Sequence, residues 1–213
     1  MFLPKGDQPL SPEAPRPRIG VLAIQGDYAA HADALAEAGA IPAEVRKPEE
    51  LQGLDALIIP GGESTTMLKF LERGHLLDEL KAFCGTHPVF GTCAGAILLA
   101  REVRNPAQTS LGVLDAVIER NAYGRQIDSS ILFSDTKLPG GKLEMVFIRA
   151  PRIIETGPQV EILAHRDGTP TLVRQGKLMA ATFHPELTPD DRRVHSAFVD
   201  LVKSNLSDTR KLS

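Results

Sequence analysis

Only two cysteines, Cys84 and Cys93, occur in the 213 residues. Two thiols cannot build a disulfide scaffold or a cysteine-rich zinc site, and such usage fits a reducing compartment, so the chain is expected to be cytoplasmic. No apolar run approaches the roughly 18 residues of a membrane span. The first segment is broken by Pro4, Pro9, Pro12, Pro15 and Pro17 where a signal peptide needs an apolar centre. Insertion and export are therefore not expected. Positive charge is not in excess either. The formal net charge is -3 and no basic stretch is long enough to leave an electrostatic footprint, so neither nucleic acid nor an anionic membrane is an expected partner. G-x-G-x-x-G is missing, as is the Lys-Ser/Thr ending of a P-loop, which leaves a nucleotide site unsupported. No metal site or cofactor is expected.

What the chain does carry is a rhythm of apolar runs and helical segments, in a length that suits one domain with a substantial core. Residues 1–17 read as a disordered leader, because closely spaced prolines can hold neither a ladder nor a helix. Residues 19–24 form a near-continuous apolar run, as in a strand covered on both faces. Asp27 can cap a helix over 28–38 that Gly39 ends. Residues 41–46 and 54–59 are the next strands. The second of these runs into Pro60-Gly61-Gly62-Glu63-Ser64-Thr65-Thr66, a Gly-Gly turn with a Ser/Thr cap for a helix over 67–73. A further helix over 76–84 leads to Pro88-Val89-Phe90. Strands alternating with helices at this spacing imply a three-layer α/β fold, with a mainly parallel central sheet flanked by helices. In the second half the texture changes to strands at 113–120, 143–149, 160–165, 171–175 and 178–183, expected to add antiparallel strands to the sheet or to form a small lid. Residues 121–141 read as an irregular connection, 191–206 as a final helix, and 207–213 as a frayed tail. The domain is thus expected over 18–206.

The strand at 88–90 ends in Gly91-Thr92-Cys93-Ala94-Gly95 and passes directly into the apolar stretch 96–100. A strand that turns into a helix through G-x-C-x-G is the cysteine form of a nucleophile elbow, in which small neighbours permit a strained turn that lifts the side chain out of the sheet. The first turn of a helix also favours a thiolate. Cys93 is the candidate nucleophile, against the plainer alternative of a small buried hydrophobe.

A cysteine nucleophile needs a base, and the sequence has six histidines. His31, His75, His87, His165 and His195 fall on helices, turns or a hairpin edge and read as solvated surface residues. His184 instead closes the strand 178–183 and is followed by Pro185-Glu186. In an extended segment residues i and i+2 project to one side, so Glu186 can hold one imidazole nitrogen while the other faces the thiol. This is nucleophile, base and orienting acid. The Gly61-Gly62 turn can aim backbone N–H groups at an oxyanion, with Gly62 and the Ala94 amide as candidate donors.

These residues resemble the triad class of glutamine amidotransferases, with its elbow cysteine and later H-P-E motif. Ala23-Ile24-Gln25-Gly26, Pro60-Gly61-Gly62-Glu63-Ser64-Thr65-Thr66, Phe90-Gly91-Thr92-Cys93-Ala94-Gly95, Glu119-Arg120-Asn121-Ala122-Tyr123-Gly124-Arg125-Gln126, Phe147-Ile148-Arg149-Ala150-Pro151 and Phe183-His184-Pro185-Glu186-Leu187 are similar, in order, to the family of glutaminase subunits of pyridoxal 5'-phosphate synthase. The resemblance spans about residues 18–204 and implies a flavodoxin-like, class I glutamine amidotransferase-like sheet. It implies Cys93, His184 and Glu186 as the catalytic set, and Gly62, Glu63, Ser64, Arg120, Ile148 and Arg149 as the glutamine pocket. Gln25 matches a family position near the oxyanion region and the subunit interface. The implied reaction hydrolyses L-glutamine to glutamate and ammonia through a cysteine thioester, without a cofactor. The implied partner is a synthase subunit in a large hetero-oligomer, since little chain is left for a synthase domain. A stand-alone cysteine amidase or peptidase on a similar sheet, and a catalytically silent binding module, are the competing readings.

Overall fold

The computed structural model describes residues 15–120 and 129–212. In chain order the elements are β1 (Arg18–Leu22), α1 (Tyr28–Glu37), β2 (Ile41–Val45), β3 (Ala56–Ile59), α2 (Ser64–Arg73), α3 (Leu76–Thr86), β4 (Val89–Thr92), α4 (Ala94–Leu99), β5 (Ala100–Arg104), β6 (Leu114–Glu119), β7 (Ser130–Ser134), β8 (Leu143–Phe147), β9 (Arg152–Thr156), β10 (Glu161–Arg166), β11 (Thr169–Gln175), β12 (Leu178–Ala181) and α5 (Arg193–Leu212). The central sheet has the order β10-β11-β12-β4-β3-β1-β2. Its pairs from β12 to β2 are parallel, and the hairpin β10-β11 continues it antiparallel. The mainly parallel sheet and the added antiparallel strands match the expectation. Two smaller sheets, β5-β6-β9 and β7-β8, carry the rest.

The period-two alternation of a strand sorts its side chains between two cores, one on each face of the sheet. Leu22, Leu57 and Ile59 pack on one side with the apolar faces of α2, α3 and α4. Ile19, Val21 and Ile58 pack on the other with Leu35 of α1 and Phe198 of α5. Each such fully buried side chain contributes about 1.5–3 kcal/mol relative to leaving it in water. Strands buried on both sides are why the sequence runs there look continuously apolar.

The structure corrects several boundaries. Three strands, β5, β7 and β9, were not expected, and β7 lies within the stretch read as irregular; residues 121–128 of that stretch fall outside the described ones. Residues 15–17 are not part of a loose leader. Pro17 is buried and its carbonyl accepts from Ile41 N–H (2.8 Å), which extends the β1–β2 ladder, while Arg16 Nη2 donates to Ala40 O (2.6 Å). The final helix starts at Arg193, and it runs on through the expected frayed tail to Leu212. No glycine or proline interrupts it, and Ser204, Ser207 and Thr209 turn their hydroxyls back onto carbonyls four residues earlier. Among the described residues no helix is long and apolar enough to cross a membrane.

Candidate active site

Strand register assembles the site. β4 and β12 are parallel neighbours with Thr92 opposite Ala181. Cys93 follows the first by one residue and His184 follows the second by three, so both emerge at the same carboxyl edge, where open α/β sheets gather ligands. Cys93 N–H donates to Ala181 O (2.8 Å) and ties the elbow to β12, and His184 N–H donates to Val146 O (2.8 Å), tying it to β8.

The elbow is strained, as its sequence predicts. Cys93 has φ 49° and ψ -103°, a conformation that costs a non-glycine residue about 1–3 kcal/mol and is held by its surroundings. The flanking glycines are a steric necessity. A Cβ on Gly95 would run into the Ile59 carbonyl, and one on Gly91 would lie 2.6 Å from the Gly95 carbonyl. Ala94, a candidate oxyanion donor, is the first residue of α4, where helix geometry gives its N–H no intrahelical partner.

His184 Nδ1 donates to Glu186 Oε1 (2.7 Å), and the ring also hydrogen-bonds the Cys93 side chain. The expected extended i, i+2 geometry is not what achieves this: Pro185–Leu187 is a turn of 3-10 helix, started by proline. Burial opposes a charge on His184. The hydrogen bonds and negative charges of Cys93 and Glu186 outweigh it and carry the imidazole up to about 10. A histidine that keeps its proton beside a thiol can stabilise negative charge on sulfur and later donate that proton to a leaving group.

Gly62, Glu63, Ser64, Cys93, Arg120, Ile148, Arg149 and His184 line a single cavity of about 330 Å³. Glu186 stands behind His184, with its side chain only 1% exposed. The turn after β3 runs under the histidine: a Cβ on Gly61 would meet His184 Cε1 at 2.6 Å. Gly62 adopts φ +136° with the Gln25 side chain over it, and Gln25 Nε2 donates to Glu63 O (2.5 Å). The expected Ser/Thr cap of α2 is in fact Glu63, whose carboxylate accepts from Thr65 N–H (3.1 Å) and Thr66 N–H (2.7 Å). The Thr66 hydroxyl with these amides holds Glu63 down to about 2. Ser64 is the first residue of that helix, and its hydroxyl donates to Gln108 Oε1 (2.9 Å).

Arg120 follows β6 and donates to Thr65 Oγ1 (2.9 Å), with Glu63 Oε1 at 3.4 Å. Arg149, just past β8, takes φ 44° and has no carboxylate partner among the described residues. Residues 121–126 of the arginine-bearing motif lie outside the described residues. Ile97 and Pro151 complete the lining and were not singled out; an apolar helix residue and a proline in a loop carry no chemical signal of a pocket.

The clearest correction concerns two histidines read as surface residues. His31 and His195 are both fully buried. His31 Nε2 lies 3.3 Å from Glu186 Oε2 and 3.2 Å from Thr92 Oγ1, and its Nδ1 is 3.0 Å from His195 Nε2. Burial first, then the neighbouring imidazoles, keep His31 well below the ordinary histidine range. Burial with the nearby Arg192 charge pushes His195 down to about 3, against an opposing effect from Glu37. His75 and His165 are exposed as expected, and half-buried His87 stacks on Phe83.

The chain is similar to known proteins over most of its length. The pyridoxal 5'-phosphate synthase subunit PdxT of Koribacter versatilis is 58% identical over 190 residues, covering 89% of this chain and 98% of that protein. The same-named subunit of Thermotoga neapolitana is 50% identical, covering 87% and 100%. A crystal structure of a glutamine amidotransferase superposes with a TM-score of 0.80 at 48% identity, covering 87% of this chain and 98% of that one. PurLQS from Thermotoga maritima, at 16% identity and a TM-score of 0.67 over 91% of this chain and 99% of that one, shares the fold alone. A model of the SNO glutamine amidotransferase family matches residues 21–204. The chain belongs to the SNO glutamine amidotransferase family.

Proposed function

We propose that the chain is the glutaminase subunit of a pyridoxal 5'-phosphate synthase, with residues 18–206 as one glutaminase domain. The observation that carries this reading is the single cavity in which Cys93, paired with His184, meets two arginines and the Gly62 turn. A volume of about 330 Å³ is at the small end of ligand sites and suits an amino acid. Arg149 and Arg120 bring guanidinium charge suited to an α-carboxylate, and the Glu63 carboxylate brings charge suited to an α-ammonium. Ser64 and Ile148 shape the remaining wall.

Cys93 Sγ attacks the glutamine carboxamide carbon, and the carbonyl electron pair moves onto oxygen, where the Gly62 and Ala94 amides are the candidate donors. The C–N bond breaks as His184 passes its proton to nitrogen, and ammonia leaves. A water molecule then gives a proton to His184 and attacks the glutamyl thioester. The C–S bond breaks, Sγ departs as thiolate, and glutamate is released. Glutamine and water are consumed; glutamate and ammonia are formed. Glu186 holds the histidine in the required orientation throughout.

Ammonia is then used by a synthase subunit on another chain, within a large cytoplasmic hetero-oligomer. The names of the relatives, subunits of pyridoxal 5'-phosphate synthase, support that partner. Gln25 packs over Gly62 and donates to Glu63 O, which supports a role in coupling docking to the oxyanion turn. The test is glutamate release with and without the synthase subunit, for the native chain and Cys93→Ala. Release that rises with the partner and vanishes in the variant is expected. Full release without the partner would contradict the coupled reading, and unchanged release in Cys93→Ala would remove the nucleophile.

A further inference from the structure

We propose that His31, supported by His195, is a positioning residue for the reaction: a neutral imidazole strut that donates a hydrogen bond to the far oxygen of Glu186 and so fixes the acid that orients His184. The inference rests on the catalytic reading of Cys93 and His184 given above.

Glu186 is a nearly fully buried carboxylate with two oxygens to satisfy. Oε1 is taken by His184. Among the described residues Oε2 has no hydrogen-bond partner, and the polar group beside it is His31 Nε2 at 3.3 Å. A buried carboxylate oxygen without a donor is costly, and catalytic hydrogen bonds that are long in an unliganded enzyme tighten during reaction.

The network selects the tautomers. If His31 carries its proton on Nε2, that N–H donates to Thr92 Oγ1 with Glu186 Oε2 beside it at 3.3 Å, and bare Nδ1 accepts from His195 Nε2–H. His195 Nδ1, buried with no hydrogen-bond partner among the described residues, is then a bare acceptor. The opposite arrangement sets a His31 lone pair against a carboxylate oxygen and leaves a buried N–H on His195 without an acceptor. Orphaned buried N–H groups are the rarer and costlier case. The first arrangement therefore holds, and every donor in the chain His195, His31, Glu186 points toward the active site.

Charge agrees with this. His31 faces Glu186, His195 and, more distantly, His184; His195 faces Arg192 and Glu37; His184 faces Cys93 and Glu186. Both helix histidines are held neutral, as an uncharged strut requires. The strut also joins distant parts of the fold, since His31 is on α1, His195 on α5 and Thr92 at the end of β4. An edge contact of His195 with Phe90, which itself packs on Phe198, holds that ring from the core side.

The test combines an activity measurement with one that does not depend on activity. Nitrogen-15 NMR of the native full chain near pH 7 is expected to show His31 and His195 neutral and protonated on Nε2; a proton on His31 Nδ1, or a charged His31, would overturn the proposal. In the complex with the synthase subunit, His31→Phe is expected to lower kcat for glutamate release roughly 10-fold or more, the scale seen when an outer partner of a reacting group is lost. KM for glutamine should stay within about 2-fold, since His31 does not line the cavity. The alkaline limb of kcat/KM should move to lower pH, because a loosened Glu186 holds the His184 proton less firmly. His31→Gln, whose amide can still donate to Oε2, should restore most of kcat and the limb. Native-like kcat and an unmoved limb in His31→Phe would overturn the proposal, as would His31→Gln performing no better than the phenylalanine variant. Should His31→Phe fail to fold, the glutamine variant and the tautomer measurement still decide. Should the native chain release no glutamate at all, the parent reading fails, while the tautomer assignment is tested independently.

Discussion

Cys84 and Cys93 lie nine residues apart and are almost equally buried, at 4% and 7% exposure, yet they are chemically unlike. Cys84 sits inside α3 among aliphatic side chains, and burial pushes its thiol up to about 12. Cys93 sits on a strained turn at a strand end, hydrogen-bonded by a histidine that keeps its proton to about pH 10. Burial alone makes a thiol inert. A positive partner held in place by its own carboxylate makes a buried thiol a nucleophile.

The largest expected effect separates the two residues outright: Cys93→Ala should reduce glutamate release by about 10⁴-fold or more, the scale of losing a nucleophile that acts as a unit with its base. Next is the elbow itself. Gly95→Ala drives a methyl into the Ile59 carbonyl and should destabilise the fold by about 1–3 kcal/mol or more, read as a lowered Tm, while displacing Cys93 from His184. A pH series comes third. His184 is raised from its ordinary 6.5, so its contribution to stability is fully present below 6.5 and is lost as pH rises through about 10; kcat should fall over that same alkaline range as the proton donor is lost. His195, between Arg192, Glu37 and His31, has the opposite sign. Its folded value of about 3 lies below 6.5, so the unfolded chain binds the proton first and stability declines from about pH 6.5 downward. Thermal melts across pH should show both limbs, with the acid one flattened in His195→Phe. The smallest effect is Cys84→Ala, expected to cost about 1–2 kcal/mol of stability with glutamate release unchanged.

The candidate nucleophile was legible because an elbow has a local signature: small residues around one cysteine, directly between a strand and a helix. His184 and Glu186 were legible because strand ends converge on one edge of a parallel sheet. His31 and His195 were not legible. Each sits on an amphipathic helix where a polar residue normally faces water, and only the docking of α1 and α5 against the end of β4 turns both inward. The strands β5, β7 and β9 were missed for a related reason. Ala100–Arg104 carries three charges in five residues, β9 buries one residue between exposed ones, and the short apolar run Ile131-Leu132-Phe133 of β7 leaves Ile131 and Phe133 exposed, so none of the three has the long buried run of a central strand. Glu63 was assigned to the pocket but not to capping; the serine and threonines beside it carried the stronger local signal, and Glu63 took the cap by reaching back to two amides.

The most direct measurement treats the chain with an electrophilic analogue of glutamine, a chloroketone in place of the carboxamide, and maps the adduct by mass spectrometry. The account predicts a single adduct on Cys93, suppressed by excess glutamine, with Cys84 unmodified. An adduct on Cys84, or labelling of Cys93 that glutamine does not suppress, would contradict it.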